Sequence, residues 1–186
     1  MEAIKKIELG RATKLIIITI LGSLLLAISA KIKIPFYPVP MTMQTFVVLL
    51  IGIMLGTKIG LLTVTLYLLE GIFGLPVFAN TPEKGIGLIY FTGPTMGYLI
   101  GFLIAIYVSS IFKYDKKILF NFLKLVFSVS FVYIFGMLWL GNLIGWEKPI
   151  FKLGAQPFLL AELFKMLLLA FLIPNILKIK KSIKIT

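Results

Sequence analysis

The sequence predicts an all-α polytopic membrane protein, a bundle of six transmembrane helices with irregular outer loops. Three observations lead to this fold class. Of the 186 residues, 60% are hydrophobic and only 14% are charged, and the mean hydropathy is +1.07, whereas soluble domains are about half apolar and about a quarter charged. Apolar runs of helical length also recur along the whole chain, which predicts a single integral membrane domain over residues 1–186.

The apolar runs divide into six segments, because a membrane-crossing helix needs about 20 mostly apolar residues. The second and third segments are short, and such spans are tolerated where protein or a cavity covers their ends. Basic tails are expected at residues 1–13 and 178–186. In chain order, the predicted spans are 14–30, 43–55, 59–73, 91–112, 118–144 and 158–177.

The basic residues predict the orientation of the bundle. Six spans place both termini on one side, and lysine-rich segments stay in the cytoplasm. We therefore expect a multi-pass protein of the bacterial cytoplasmic (inner) membrane with both termini cytoplasmic. An alternative, in which residues 14–30 form a cleaved signal, is disfavoured because Ile28 lies where a small residue is required. Twelve of the 19 cations lie on the terminal side: Lys5, Lys6, Arg11, Lys14, Lys58, Lys113, Lys116, Lys117, Lys178, Lys180, Lys181 and Lys184.

Small residues recur at four-residue spacing within the spans. Such rows let helix backbones approach closely in lipid, and we expect most of them to pack inside the bundle. Ser23 and Ala27 are the candidates for a row that instead faces a partner protein. The rows expected to pack internally contain Gly52, Gly56 and Gly60; Gly93, Gly97, Gly101 and Ala105; and Gly141 and Gly145.

Charged residues inside the spans need an explanation, because each costs about 2.5–3.5 kcal/mol near the bilayer centre on insertion scales. Lys124 is close enough to the cytoplasmic end for its long stem to reach water. Glu70, Glu162 and Lys165 lie instead in the outer halves of their spans. Glu162 and Lys165, three residues apart on one helix, form either a neutralising ion pair alone or a pair that also binds a ligand.

The stretch GLPVFAN, residues 74–80, interrupts the apolar sequence at the outer rim of the membrane. Its glycine and its proline, Gly74 and Pro76, break the helical ladder and expose backbone groups that must find partners. Asn80 adds an amide that both donates and accepts hydrogen bonds. Tyr67, Phe78 and Tyr98 are expected to supply apolar walls with phenolic tips. An outer cavity with these features is typical of a small-molecule site.

The composition excludes several kinds of chemistry. Cysteine and histidine are both absent, which removes thiol nucleophiles, imidazole bases and the usual zinc ligands. GIMLGTK, residues 52–58, is not a P-loop, because its glycines are too close and its lysine follows the threonine. We therefore expect no metal, no cofactor and no binding of nucleic acid. An intramembrane enzyme that uses Glu70 or Glu162 as general acid or base is the weaker alternative.

Four stretches occur in order along the chain: YPVPMTMQTFVVLLIGIMLG (37–56), LYLLEGIFGLPVFA (66–79), GPTMGYLIGF (93–102) and QPFLLAELFK (156–165). Together they resemble the successive signatures of the BioY family, the biotin-specific S components of energy-coupling factor (ECF) transporters. The resemblance covers roughly residues 15–175. It implies a six-helix bundle that binds biotin near its outer face, energised by a transmembrane coupling protein and two ATPase subunits. S components for riboflavin or thiamine are the alternative within this architecture.

The resemblance also implies site residues. The family pattern of Pro-Phe, an acid and a lysine falls on Pro157, Phe158, Glu162 and Lys165, although this chain lacks the Pro-Gly pair that commonly precedes the acid. A carboxylate and an amide suit the ureido group of biotin, and a lysine suits its carboxylate or its ureido oxygen. The ligand-binding candidates are Glu162, Lys165, Asn80, Tyr98, Gln44, Tyr67, Glu70 and Phe78.

Overall fold

The long apolar runs are helical in the computed structural model, which describes residues 2–35 and 37–183. A short antiparallel ribbon, in which Lys33 pairs with Thr42 and Ile34 with Met41, precedes the second helix. Its two-residue strands are too short for an alternating pattern to predict them. In chain order the elements are α1 (Glu2–Lys31), β1 (Lys33–Ile34), β2 (Met41–Thr42), α2 (Gln44–Ile72), a 3-10 helix (Gly87–Thr92), α3 (Met96–Ile111), α4 (Ile118–Ile144), α5 (Ile150–Gly154), a 3-10 helix (Gln156–Phe158) and α6 (Leu159–Ile183).

Two predicted boundaries differ from the structure. The segments predicted as tails continue the first and last helices, because α1 begins at Glu2 and α6 extends to Ile183; residues 1 and 184–186 lie outside the described range. The predicted span 91–112 begins too early. Gly93 and Pro94 separate a 3-10 helix from α3, because proline lacks the N–H that would continue a helical ladder.

Gly56 divides α2 into two halves. Its φ of 73° and ψ of −177° lie in a region that essentially only glycine adopts. A Cβ on Gly60 would lie 3.9 Å from the Cα of Gly52, whereas residues eight apart in a straight helix are separated by about 12 Å. The chain therefore reverses at Gly56, and the predicted spans 43–55 and 59–73 are separate crossings.

One end of the bundle carries the Gly56 turn together with the C-terminal ends of α3 and α6. The Lys180 ammonium of α6 donates to the Ile53 carbonyl at 2.9 Å. The hydroxyls of Thr57 and Ser110 lie 2.7 Å apart, which places the end of α3 beside the turn. Lysines that are distant in sequence therefore come together at one end, as the six-span topology predicts.

Glycines allow α3 and α4 to pack closely. A Cβ on Gly101 would lie 2.6 Å from the Cα of Val132, and one on Gly97 would lie 2.3 Å from the Phe135 carbonyl oxygen. Ala105, in the same four-residue row, is fully buried. The row predicted to pack internally does so along α3.

The helix α1 is peripheral and packs on α2. The Ser23 hydroxyl donates to the Glu70 carboxylate, and a Cβ on the neighbouring Gly22 would lie 2.7 Å from Thr63. Ser23 is fully buried and Ala27 is half-buried. The prediction of an exposed docking strip is therefore wrong at Ser23, where a small side chain is needed for contact with α2; the internal-packing alternative applies to this residue.

The described helices account for a membrane-spanning bundle. Four of them are long and apolar enough to cross a bilayer, and α3, with 16 residues, is a shorter apolar helix. The bundle contains six helices when the two halves of α2 are counted separately. They are α1, the two halves of α2, α3, α4 and α6. The four long spans are Ala12–Lys31, Gln44–Ile72, Ile118–Ile144 and Ile150–Ser182.

Gly101→Ala is expected to destabilise the protein, although alanine has the higher helix propensity. The new methyl would meet the backbone of Val132 at 2.6 Å, and such overpacking costs about 1–3 kcal/mol. Thermal unfolding in detergent measures the change. Gly10→Ala is the matched control, because a Cβ there meets no atom within 4 Å. Equal unfolding midpoints for the two variants would contradict the close packing of α3 on α4.

Candidate functional site

A cleft opens at the end of the bundle opposite Gly56. The space between its walls is about 540 Å³, open solvent at its mouth included. Apolar and aromatic side chains form most of its wall. Its lining residues are Val39, Pro40, Met41, Thr42, Gln44, Thr45, Phe78, Ala79, Tyr90, Thr95, Tyr98, Leu99, Phe102, Val132, Tyr133, Phe158 and Glu162.

A buried ion pair lies beside this cleft. Glu162 lines the cleft and pairs with Lys165 one helical turn later on α6. The side chains of Glu162 and Lys165 are only 7% and 8% exposed. Lys165 Nζ also donates to the Thr42 carbonyl and to Thr45 Oγ1, both at 2.8 Å. The pair thus joins α6 to the ribbon and to the start of α2.

The two oxygens of Glu162 have different surroundings. Oε1 accepts hydrogen bonds from Lys165 and from Thr45 Oγ1, the latter at 3.0 Å. Oε2 is buried and accepts no hydrogen bond of standard geometry, the one such side-chain atom within the described part of the chain, and the neighbouring Tyr133 side chain in the cleft lining interacts with the same carboxylate. A buried carboxylate oxygen without a partner forgoes stabilising free energy. Oε2 is therefore available to accept a hydrogen bond from a ligand.

Gln44 reaches the cleft from the first turn of α2. Its Nε2 donates to the Tyr67 hydroxyl at 2.8 Å, and its Oε1 accepts from Thr42 Oγ1 at 3.2 Å. The Tyr67 hydroxyl donates in turn to the Val77 carbonyl at 3.3 Å. Tyr67 is fully buried and lies behind Gln44 rather than in the lining, so its contacts orient the amide instead of forming a wall.

Phe78 is the aromatic wall contributed by the GLPVFAN stretch. Its ring stacks on Tyr90 with centroids 4.6 Å apart and packs edge-on against Tyr67 at 5.3 Å. A Cβ on Gly71 would lie 2.0 Å from this ring, so the glycine that follows Glu70 provides the space that Phe78 fills. Burial raises the pKa of the Tyr90 phenol, so the phenol keeps its proton to a higher pH than an exposed tyrosine does.

Tyr98 presents its ring to the cleft but not a free hydroxyl. The hydroxyl donates to the Gly154 carbonyl at 2.7 Å. The ring packs on Gly136, where a Cβ would lie 2.3 Å away. Tyr98 is therefore a fixed apolar surface that connects α3 with α4 and α5.

Asn80 and Glu70 lie outside the cleft lining. Asn80 lines a smaller neighbouring depression that shares Tyr90 with the cleft, and its Oδ1 accepts from Lys33 Nζ at 3.2 Å. Glu70 instead accepts from Ser23 between α1 and α2. The structure therefore brings Gln44, Phe78, Tyr98 and Glu162 together in one cleft.

Sequence analysis missed Thr42 and Thr45, which hold the ion pair. The signal was present, because both belong to the stretch MTMQT that contributes Gln44. Threonine is common in apolar helices, however, where its hydroxyl bonds its own backbone. Only the folded arrangement shows that Thr45 faces α6.

These features define a class of protein: a polytopic helical membrane protein with a small-molecule cleft and a buried ion pair at one end. The chain belongs to the BioY family, whose sequence profile matches residues 3–182. It is 34% identical over 141 residues to the "Probable biotin transporter BioY" of Pyrococcus horikoshii, covering 76% of this chain and 82% of that protein. It is 34% identical over 157 residues to the "Biotin transporter BioY" of Thermotoga maritima, covering 84% and 91%.

A solved structure shares the fold. It is described as "Crystal structure at 2.1 A of the S-component for biotin from an ECF-type ABC transporter". The TM-score is 0.74 with 23% sequence identity, and the match covers 91% of this chain and 93% of that one. The expected bundle of six helices is thereby confirmed. The relatives reported above are named as transporters, not as enzymes.

Lys165→Met is expected to destabilise the ligand-free protein by about 3–5 kcal/mol, because it leaves the buried Glu162 charge without its partner. Adding Glu162→Gln to this variant removes that charge and should restore much of the loss. Thermal unfolding in detergent compares the variants with Lys152→Met, which removes an exposed lysine on α5. If the single Lys165 variant is as stable as the double variant, the two side chains are not energetically coupled.

Proposed function

We propose that this chain binds biotin in the cleft and is the membrane subunit that mediates high-affinity biotin uptake. The names of its curated relatives support the choice of substrate. The observation that carries the proposal is Glu162 Oε2, a buried acceptor that lacks a hydrogen bond of standard geometry and belongs to a residue lining the cleft. A ureido N–H is a donor of the kind this oxygen requires. The other vitamins considered, riboflavin and thiamine, are not favoured.

The surrounding residues suit the rest of the ligand. Phe78, Tyr98 and Phe158 offer apolar surfaces to the fused rings and their sulfur. The three N–H groups of Lys165 already have acceptors in Thr42, Thr45 and Glu162. We assign Lys165 first to the orientation of Glu162, since a direct bond from Lys165 to biotin would require the exchange of one of these acceptors.

The proposal includes a source of energy outside this chain. The solved structure of similar fold is an S-component from an ECF-type ABC transporter. We infer that this chain assembles with a transmembrane coupling protein and two ATPase subunits, as the resemblance to the BioY family implies. The stretch at residues 52–58 contains the Gly56 turn between two helical segments and does not form the strand-to-helix loop that holds phosphates.

Biotin is expected to bind the detergent-purified protein at about one molecule per chain, and Glu162→Gln to weaken it at least about tenfold, or about 1.4 kcal/mol. The amide replaces a charged acceptor by a neutral group that both donates and accepts. Equilibrium titration with labelled biotin measures the affinity, and Glu147→Gln, at an exposed carboxylate, is the control. Absence of biotin binding, or tighter binding of riboflavin or thiamine, would contradict the proposed substrate.

We further infer that the protein lies in the bacterial cytoplasmic membrane with both termini in the cytoplasm. The excess of lysine at the Gly56 end supports this orientation. Because the chain has no cysteine, single cysteines report topology directly. In intact bacterial cells, a membrane-impermeant maleimide should label Lys148→Cys at the cleft end, and Lys58→Cys only after permeabilisation. The opposite labelling pattern would reverse the orientation.

A further inference from the structure

Residues 78–81 make a turn that is part of the cleft wall but belongs to no helix or strand. The chain between α2 and the 3-10 helix at Gly87–Thr92 contains two glycines with positive φ, Gly74 at 90° and Gly85 at 93°. Phe78 in this turn is nevertheless 1% exposed. The packing of the Phe78 ring holds one residue of the turn, and contacts from another part of the chain bind its backbone.

Lys31, the last residue of α1, provides the first set of these contacts. Its Nζ donates to the carbonyl oxygens of Phe78 at 2.8 Å and Thr81 at 2.9 Å. It also lies 3.2 Å from the Thr81 hydroxyl, which itself donates to the Phe78 carbonyl at 2.8 Å. One ammonium group thus joins the two ends of the turn.

Lys33, at the start of the ribbon, provides the second set. Its Nζ donates to the Ala79 carbonyl at 2.7 Å and to Asn80 Oδ1 at 3.2 Å. An exposed carboxylate, Glu83, lies 3.6 Å from the same ammonium. Lys31 and Lys33 together therefore bond to every residue of the turn.

These bonds are charge-assisted, which makes them stronger than bonds between neutral groups. Neither lysine is among the residues that line the cleft. Their influence on a ligand is therefore indirect, through the position of Phe78 and Ala79, the two residues of the turn that line the cleft. The same contacts tie the turn to α1, a helix that otherwise packs on α2.

We propose that Lys31 and Lys33 are positioning residues of the binding site, which hold the 78–81 turn against the cleft and thereby set how long a ligand stays bound. The identity of the ligand, biotin, rests on the function proposed above. The role of the two lysines in holding the turn does not rest on that function. The competing role, attraction of an anionic ligand by two outer positive charges, would change the rate of association instead.

The test compares Lys31→Met/Lys33→Met with Lys31→Arg/Lys33→Arg in the full-length protein in detergent. The methionine pair should accelerate dissociation of labelled biotin by about tenfold, because charged hydrogen bonds are lost, with a smaller change in the association rate. The arginine pair, which keeps charge and donors, should restore slow dissociation. Lys148→Met/Lys152→Met removes two exposed positive charges at the same end and should leave both rates unchanged.

A second readout needs no ligand. Hydrogen exchange of the backbone amides of residues 77–85 should become faster in the methionine pair and not in the control pair, since the turn loses its anchors. Unchanged dissociation together with unchanged exchange would overturn the proposal, as would an effect confined to association. If the unmodified protein does not bind biotin, the proposed function fails, and the exchange rates still decide the role of the lysines. If the methionine pair does not fold, Lys33→Met alone carries the same comparisons.

Discussion

The buried pair of Glu162 and Lys165 is the interaction on which the arrangement of the cleft depends. Neither charge is stable alone in a bilayer interior, where desolvation costs several kcal/mol per ion, so each requires the other and a set of further hydrogen bonds. Thr42 and Thr45 supply them from the ribbon and the start of α2. The pair therefore fixes α6 against α2 while leaving one carboxylate oxygen for a ligand. The Glu162 side chain is therefore both a structural contact and the proposed binding group.

The walls of the cleft depend on small residues placed elsewhere. Gly136 accommodates the ring of Tyr98 and Gly71 accommodates the ring of Phe78, so flat apolar surfaces face the cleft and pack closely on helix backbone. The close approach of α3 and α4 has the same origin. In lipid, apolar side chains gain little by leaving their surroundings, and backbone proximity replaces the hydrophobic effect as the source of helix association. Glycine positions thus determine both the stability of the bundle and the shape of its site.

The sequence was sufficient for the spans and for the acid-lysine pair, because apolar length, breaks at glycine and proline, and three-residue spacing are local properties. The sequence does not predict which face of each helix is buried. In a membrane bundle the lipid-facing and core-facing residues are both apolar, so the pattern that reveals the buried side of a soluble helix is missing. The sequence therefore predicts Ser23 on the surface, although its hydroxyl bonds Glu70 inside the bundle, and predicts Tyr67 as a wall of the cleft, although it supports Gln44 from behind. Local sequence patterns also do not predict that Lys31 bonds to a turn that is distant in the sequence.

Glu162 Oε2 is the proposed acceptor for the ureido group of biotin. An experimental structure of the protein with bound biotin would show whether this hydrogen bond forms. We expect a ureido nitrogen about 2.7–3.2 Å from Oε2, with Oε1 still bonded to Lys165 and Thr45. Biotin bound elsewhere, for example in the apolar groove between α4 and α6 near Met137 and Leu163, or bound in the cleft with Oε2 still without a donor, would contradict it.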